Sequence, residues 1–225
     1  MRIKPVFAIT LLGLLIIVSC KKEPTKPTET PITIELDSAY LNNEVAEAEN
    51  IGSVQLAEGL QLNLWAPDTL APDPIAMDID AQGRIFFTRT NRQKNSEFDI
   101  RGYRDWMTAS NSFETVADRK AFLHETFAPE KSEENSWLPD LNNDGSHDWM
   151  DLAVEEDEVW RLEDADHDGV AEKATRVVHD FNSEESDVAN ALAVDGEKLF
   201  VGIAPDMWLM EDTNGDEVFD AKTSL

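Results

Sequence analysis

The sequence predicts a mainly β fold in which two similar units of four antiparallel strands follow one another, with a helical insertion in the first unit. Two internal similarities support this prediction. Segment 159–175 resembles segment 207–223 at an offset of 48 residues, and one of the shared residues is a Trp. Segments 77–87 and 192–201 are also similar, and both alternate apolar and polar residues around a glycine turn, as β-hairpins do.

Composition excludes several classes of protein. The formal net charge of the 225 residues is −27, so the chain would repel the phosphates of a nucleic acid and the surface of an anionic membrane. A hydrophobic content of 41%, with six Trp, argues against disorder over most of the chain. The single Cys excludes an internal disulfide framework, a Cys-based zinc site and a C-x-x-C-H attachment, so no haem is expected in this chain.

Residues 1–19 are predicted to be a bacterial lipoprotein signal peptide. Two basic residues precede an apolar run over 6–18, which is too short to span a bilayer as a helix and suits a signal peptide. The run ends in an apolar pair followed by Ser19 and Cys20, which resembles a lipobox, whose Cys is acylated after cleavage. The alternative is a buried Cys in a membrane anchor. The lipobox predicts lipid attachment at Cys20 and a cell-envelope location, at the outer membrane on its periplasmic or surface face.

Residues 20–54 are expected to connect the lipid to the folded domain. Segment 21–31 contains three Pro and three Thr and no large apolar side chain, so it is predicted to be an extended, solvated tether. A lead-in segment follows, in which an amphipathic helix is expected over 38–49. The folded domain is then expected to cover 55–225.

The strand pattern of this domain predicts an incomplete β-propeller. Four antiparallel strands in a unit of about 40–50 residues are typical of a propeller blade. Two blades do not close a ring, because propellers have about four to eight, so the chain is expected to be the N-terminal part of a longer protein. The alternative is a broken reading frame. The strands are predicted at 75–80, 84–88, 158–162 and 174–180 in the first blade, and at 189–194, 198–203, 207–210 and the final residues in the second.

The insertion, about 91–157, separates the second and third strands of the first blade. One helix is predicted in it, with Ser112 as its N-cap and Pro129 as its stop. Its apolar residues fall on one helical face, and we expect this face to pack on the side of the propeller. These residues are Phe113, Val116, Ala117, Ala121, Leu123 and Phe127.

Three acidic loops are candidate calcium sites. Asp or Asn recurs at alternate positions, so that oxygen atoms can converge on a hard cation, and the first two loops also have the glycine that lets the chain reverse. None has the bidentate Glu that closes an EF-hand loop. The alternative is that these side chains satisfy the backbone of ordinary hairpin turns. The candidate ligands are Asp140, Asn142, Asp144, Ser146, Asp148, Asp151, Asp164, Asp166, Asp168, Glu172, Asp212, Asn214, Asp216 and Asp220.

One basic stretch stands out against the acidic remainder of the chain. Arg89, Arg92, Arg101 and Arg104 follow a blade strand directly, and they are candidate ligand-binding residues for an anionic substrate or cofactor. The alternative is that these side chains form ion pairs with the protein's own carboxylates. The four His have no metal-binding spacing, and no catalytic residues are assigned.

Three strings of residues, 74–87, 159–169 and 201–212, resemble the propeller of large secreted bacterial proteins, the membrane-bound dehydrogenase-like, haem-binding family. That family is related in fold to the soluble quinoprotein glucose and sorbosone dehydrogenases. The resemblance covers roughly residues 55–225. It implies that complete members continue into helical repeats and a cytochrome c module, and that PQQ belongs to the complete member only. No quinone-binding or catalytic residue of the family can be matched to a position here.

Two functions are compatible with these patterns. The first is the front part of an exported dehydrogenase that oxidises a sugar or related alcohol, with a cytochrome domain or protein as partner; this part alone is expected to be inactive. The second is a non-catalytic, calcium-stabilised surface propeller that binds a glycan or a protein. A C-x-x-C-H motif in the coding sequence beyond Leu225 would favour the first, and a stop directly after the last blade the second.

Overall fold

The computed structural model describes residues 31–49, 54–92, 98 and 101–225. The predicted signal peptide, Cys20 and most of the predicted tether lie outside the described residues. In the described ranges, no helix combines the length and the apolar character that crossing a bilayer requires.

In the described part of the chain, nine strands form two antiparallel sheets, which confirms the mainly β prediction. The first sheet has the order β1-β5-β4-β3-β2 and the second the order β6-β7-β8-β9. The strands of the first sheet are β1 (Thr33–Glu35), β2 (Met77–Ile79), β3 (Ile85–Arg89), β4 (Asp157–Glu163) and β5 (Lys173–Asp180). Those of the second are β6 (Ala191–Asp195), β7 (Lys198–Ile203), β8 (Asp206–Glu211) and β9 (Ala221–Ser224).

Strand β1 was absent from the sequence prediction, which gave the first unit four strands. It pairs antiparallel with β5, with Thr33 opposite Thr175 and Glu35 opposite Lys173. The lead-in segment therefore adds a fifth strand to the outer edge of the first sheet. The helix expected after it is present as α1 (Ser38–Glu49).

The repeat seen in the sequence corresponds to a repeat in strand register. Trp160 of β4 lies opposite Phe87 of β3, and Trp208 of β8 lies opposite Val201 of β7. Both Trp therefore occupy the third strand of a four-stranded meander, at the same level of the sheet. Segments 77–87 and 192–201 form the hairpins β2–β3 and β6–β7, as predicted.

Equivalent faces of the two sheets point in the same direction. Successive residues of a strand point to opposite faces, so Phe86 and Phe87 pack into different cores. Trp208 packs on the core between the two sheets, whereas Trp160 lies in the core on the far side of the first sheet. The inter-sheet core consists of Phe86, Val159, Val177, Val178, Phe181, Ala189, Leu199, Val201, Ile203 and Met210. The far core consists of Leu70, Phe87, Trp160, Leu162, Ala171 and Ala174.

The insertion between β3 and β4 contains the helices α2 (Met107–Ser110) and α3 (Val116–Thr126). The predicted cap of the longer helix was wrong: its N-cap is Thr115, whose hydroxyl accepts from the amide of Asp118 at 3.2 Å. The Asp118 carboxylate accepts in turn from the Thr115 amide at 2.8 Å, completing a capping box. Ser112 lacks such a partner three residues later, and its hydroxyl donates to the carbonyl of Ala109.

The apolar face of α3 packs within the insertion, not on the side of the sheets as expected. Leu123 and Phe127 are buried with Leu138 and Leu152 in a separate small core, which Phe98 and three other aromatic residues extend. The polar face of α3 meets the segment before β6 instead. Its contacts are ion pairs of Arg119 with Asp187 at 2.8 Å and of Lys120 with Glu184 at 2.9 Å, together with a His124–Glu184 hydrogen bond at 2.7 Å.

Candidate functional site

In the loop that starts at Asp140, the carboxylates bind the chain's own backbone. Asp140 accepts from the amides of Asp144 at 3.2 Å and Gly145 at 3.0 Å. Asn142 accepts from the amide of Asp144, and Asp144 from that of Ser146. Further along, Asp148 and Asp151 are fully buried and cap the 3₁₀ helix Trp149–Ala153. The side chains of 140–144 thus satisfy the backbone of the turn, whereas Oδ2 of Asp148 is buried without a hydrogen-bond partner.

The loop between β4 and β5 brings three carboxylates together. Oxygen atoms of Asp164, Asp166 and Glu172 all lie within 4.8 Å of one another, and this is the one such group among the described residues. Glu172 accepts from the amide of Ala165 through Oε1, while its Oε2 is buried and has no hydrogen-bond partner. The fourth predicted ligand, Asp168, accepts from the amide of Val170. Oxygen donors in this number and spacing suit a hard cation such as Ca²⁺.

In the loop between β8 and β9, the carboxylates serve mainly the turn. Partial burial opposes the ionisation of Asp212, but amides of Gly215, Glu217 and Asn214 outweigh it and hold its pKa below the ordinary value. Asp220 accepts from both the amide and the hydroxyl of Thr213. Asn214 and Asp216 bond to each other, at 3.1 Å.

The four predicted ligand-binding arginines lie in different environments. Arg92 is 0% exposed and donates to the carbonyls of Phe181, Ser183, Ser186 and Asp187 and to the hydroxyl of Ser186. It therefore fixes the segment that leads from β5 to β6. Arg89 approaches Glu158 at 3.7 Å. Arg101 and Arg104 are exposed, on the stretch that leads into the helices of the insertion.

A cavity of about 480 Å³ lies between the two sheets, at the end where their hairpin turns gather. Sequence reasoning missed it, because its walls come from two different sheets. Its lining includes Arg84 beside the β2–β3 turn, Arg161 of β4, and Glu197 of the β6–β7 turn. Asp212 and Glu217 of the β8–β9 loop complete the polar wall, and Gln82, Phe86 and Phe219 also line the space.

Two arginines of the first sheet converge on one carboxylate of the second. Arg84 Nη1 lies 3.3 Å from Glu217 Oε1, and Arg161 Nη2 lies 2.9 Å from Glu217 Oε2. Partial burial opposes the ionisation of Glu217, but Arg161 and Arg84 outweigh it and keep its pKa below the ordinary value. The same arginines also pair with carboxylates of the first sheet: Arg84 Nε lies 2.6 Å from Asp80, and Arg161 Nη2 lies 3.2 Å from Glu163. Each oxygen of the Glu217 carboxylate is therefore bound by the guanidinium group of a different arginine.

One signal in the sequence marks Glu217. At the repeat offset of 48 residues it occupies the position of Gly169, and the acidic loop from Asp212 lacks that glycine. Glu217 nevertheless keeps a left-handed backbone, with φ of 65°, which side chains rarely adopt. Aligning the two loops by the repeat would have shown a Glu where glycine is favoured. Such a replacement indicates that the Glu side chain makes a specific contact.

No curated protein and no solved structure matches the chain. Residues 46–225 match the family described as "Domain of unknown function (DUF7133)". Because this match covers most of the sequence, including both sheets from β2 onward and the insertion, the chain belongs to the DUF7133 family.

Proposed function

We propose that the chain forms the front blades of an exported, lipid-anchored β-propeller of the quinoprotein dehydrogenase-like type, which oxidises a sugar or related alcohol in the cell envelope. The observation that carries this proposal is the stacking of the sheets, whose equivalent faces, marked by Trp160 and Trp208, point the same way. Successive blades of a propeller stack in this manner, since each blade is related to the next by a rotation about one axis.

Exposure on the second sheet also supports a further blade. Val159 and Val177 of the first sheet are fully buried against the second sheet. Their equivalents at the repeat offset, Met207 and Leu225, are 51% and 66% exposed. A third sheet packed on this face would bury them in the same way.

The dehydrogenase part of the proposal comes from the resemblance of the three propeller strings. No residue of this chain is assigned to PQQ or to a catalytic step, so the proposal is limited to the class of reaction. The test uses the gene product isolated by antibody from the envelope of its native host, supplied with PQQ and Ca²⁺. Saturable reduction of a dye acceptor by aldoses or polyols supports oxidation. Protein that shows no such reduction with any of these substrates contradicts it.

The second candidate is a non-catalytic, calcium-stabilised surface propeller that binds a glycan or a protein. The carboxylate group of Asp164, Asp166 and Glu172 favours it, because a Ca²⁺ ion there would offset two of the three negative charges in a strongly acidic chain. The cation would supply structural rigidity to the β4–β5 loop and take no part in a reaction. Binding of the same isolated protein to a glycan array, with no dye reduction, distinguishes this function from the first.

A further inference from the structure

We propose that the cavity between the two sheets binds a small hydroxylated monocarboxylate, such as a sugar acid, whose carboxylate replaces that of Glu217 between Arg84 and Arg161. The proposal rests on the geometry of the two described sheets alone. It holds whether or not the protein is a dehydrogenase, and it concerns a ligand rather than a reaction.

The two arginines form a ready-made carboxylate site. The Arg161 side chain is only 5% exposed, and its Nε is buried without a hydrogen-bond partner. Arg84 is held in place by Asp80, whose side chain is 3% exposed and whose Oδ1 also accepts from the Arg84 amide. A carboxylate between these two groups gains a charge-assisted hydrogen bond at each oxygen. Removal of Glu217 would leave both guanidinium groups facing the cavity.

Glu217 is an occupant that a ligand can displace. Its side chain is 60% exposed, so it can rotate into solvent without crossing a packed core. Its left-handed backbone adds local strain, which the equivalent Gly169 avoids. A ligand carboxylate would restore both hydrogen bonds while Glu217 is hydrated, so the exchange conserves the ion pairs of Arg84 and Arg161.

The rest of the cavity defines the class of ligand. A volume of about 480 Å³ lies in the range that holds one small molecule. Phe86 and Phe219 offer apolar contact, whereas the side-chain amide of Gln82 offers a donor and an acceptor that suit hydroxyl groups. The carboxylates of Glu197 and Asp212, which also line the cavity, would repel a second negative charge, and the net charge of −27 adds to this repulsion. The site therefore fits a monoanion with hydroxyl groups better than a phosphate or a dicarboxylate.

The experiment is calorimetric titration of the full chain, purified in detergent, with D-glucuronate. D-Glucose, which lacks the carboxylate, and the dianion D-glucarate are titrated in parallel. The main variant is Glu217→Gly, which frees the arginines and places glycine where Gly169 stands in the other loop. Glu217→Gln is a second variant that keeps the side-chain shape. Glu197→Gln is the matched control, because it removes one charge from the same cavity without touching the arginine pair.

We expect Glu217→Gly to bind D-glucuronate about tenfold more tightly than the unmodified chain, because the competing carboxylate is gone. Glu197→Gln should change the affinity by less than about threefold, since it alters only the general potential. Adding Arg84→Gln to Glu217→Gly should abolish the gain. Equal binding of D-glucose, or no gain with either Glu217 variant while the melting temperature is retained, would overturn the proposal. A gain of the same size in Glu197→Gln would also overturn it.

Discussion

Glu217 and Gly169 hold equivalent positions in successive loops, and both have a left-handed backbone, with φ of 65° and 98°. The space beside Gly169 is open, because no heavy atom lies within 4 Å of where a Cβ would be. At Glu217 the side chain crosses to the neighbouring sheet and meets Arg84 and Arg161. The same turn thus serves as a simple connection in one sheet and as an inter-sheet contact in the other.

The backbone cost of this position can be measured at Gly169. Gly169→Ala is expected to lower the free energy of unfolding by about 1 kcal/mol, because a Cβ disfavours a left-handed residue. No steric clash adds to this cost, since the surroundings are open. Chemical denaturation gives the value. An unchanged midpoint would mean that the loop relaxes to another backbone conformation.

Calcium is expected to stabilise the protein through the β4–β5 loop. Millimolar CaCl₂ should raise the melting temperature, and Glu172→Gln should abolish the rise, because it removes the charge of the buried Oε2 while keeping an acceptor for the Ala165 amide. Asp144→Asn in the first acidic loop is the control and should leave the rise intact. If Ca²⁺ does not change the melting temperature of the unmodified chain, the three acidic loops are ordinary turns and not calcium sites.

Acid is expected to weaken the contact between the insertion and the second sheet. Burial opposes the ionisation of Glu184, but hydrogen bonds from His124 and Lys120 outweigh it and lower its pKa from 4.5 to about 2. A lowered pKa in the folded state stabilises the fold above the unfolded value, and this stabilisation is lost as the pH falls from about 4.5 towards about 2.

Glu184→Gln should therefore be less stable than the unmodified chain at neutral pH, and the difference should shrink as the pH falls through this range. Urea unfolding at several pH values measures it. Glu185→Gln is a neighbouring control, because the Glu185 carboxylate contacts Lys120 only at 3.4 Å. A constant difference between Glu184→Gln and the unmodified chain at all pH values would rule out this ion-pair network as the source.

Arg92 and Arg104 separate the two interpretations of the basic stretch. Arg92→Leu is expected to cost about 3 kcal/mol or more in unfolding free energy, because several buried carbonyls lose their donor. Arg104→Leu, at an exposed site, should change stability by less than about 0.5 kcal/mol. Denaturant unfolding of both variants measures the difference in their free energies of unfolding. A stable Arg92→Leu protein would contradict a structural role for this side chain.

Attachment to the membrane is predicted to depend on one atom, the sulfur of Cys20. Cys20→Ser should move the protein from the membrane fraction to the soluble fraction of the envelope, because no thiol remains for acylation. Ser19→Ala keeps a small residue before the Cys and should stay membrane-bound. Cell fractionation with immunoblotting compares the two. Retention of Cys20→Ser in the membrane would contradict the lipoprotein interpretation.

Local patterns in the sequence predicted most strands, because alternation and repeated turns depend on neighbouring residues. β7, for example, spans Lys198–Ile203, as predicted. Strand β1 escaped prediction, since three residues next to a Pro-rich segment carry little periodic signal and gain their partner, β5, only in the fold. The N-cap at Thr115 was missed for a related reason: Ser112 and Thr115 both suit a cap, and Asp118 decides between them.

The candidate sites also include features that the sequence predicted and features that it did not. Spacing placed Glu172 with Asp164 and Asp166 in one candidate site, and the structure brings their oxygen atoms together. Spacing did not distinguish this loop from the other two acidic loops. The convergence of Arg84 and Arg161 on Glu217 was not predicted, because the two arginines lie beside β3 and in the neighbouring strand β4 of the first sheet, whereas Glu217 comes from the second. The sequence therefore predicted features formed within one hairpin, but not the contacts that form between the two sheets.

We propose that the two sheets are successive blades of one propeller. An experimental structure of the gene product isolated from its native host would test this arrangement. We predict a further four-stranded sheet packed on the face of Met207 and Leu225, stacked on the second sheet as the second stacks on the first. A structure in which helices or solvent cover that face, or in which the faces of Trp160 and Trp208 point towards each other, would contradict the claim.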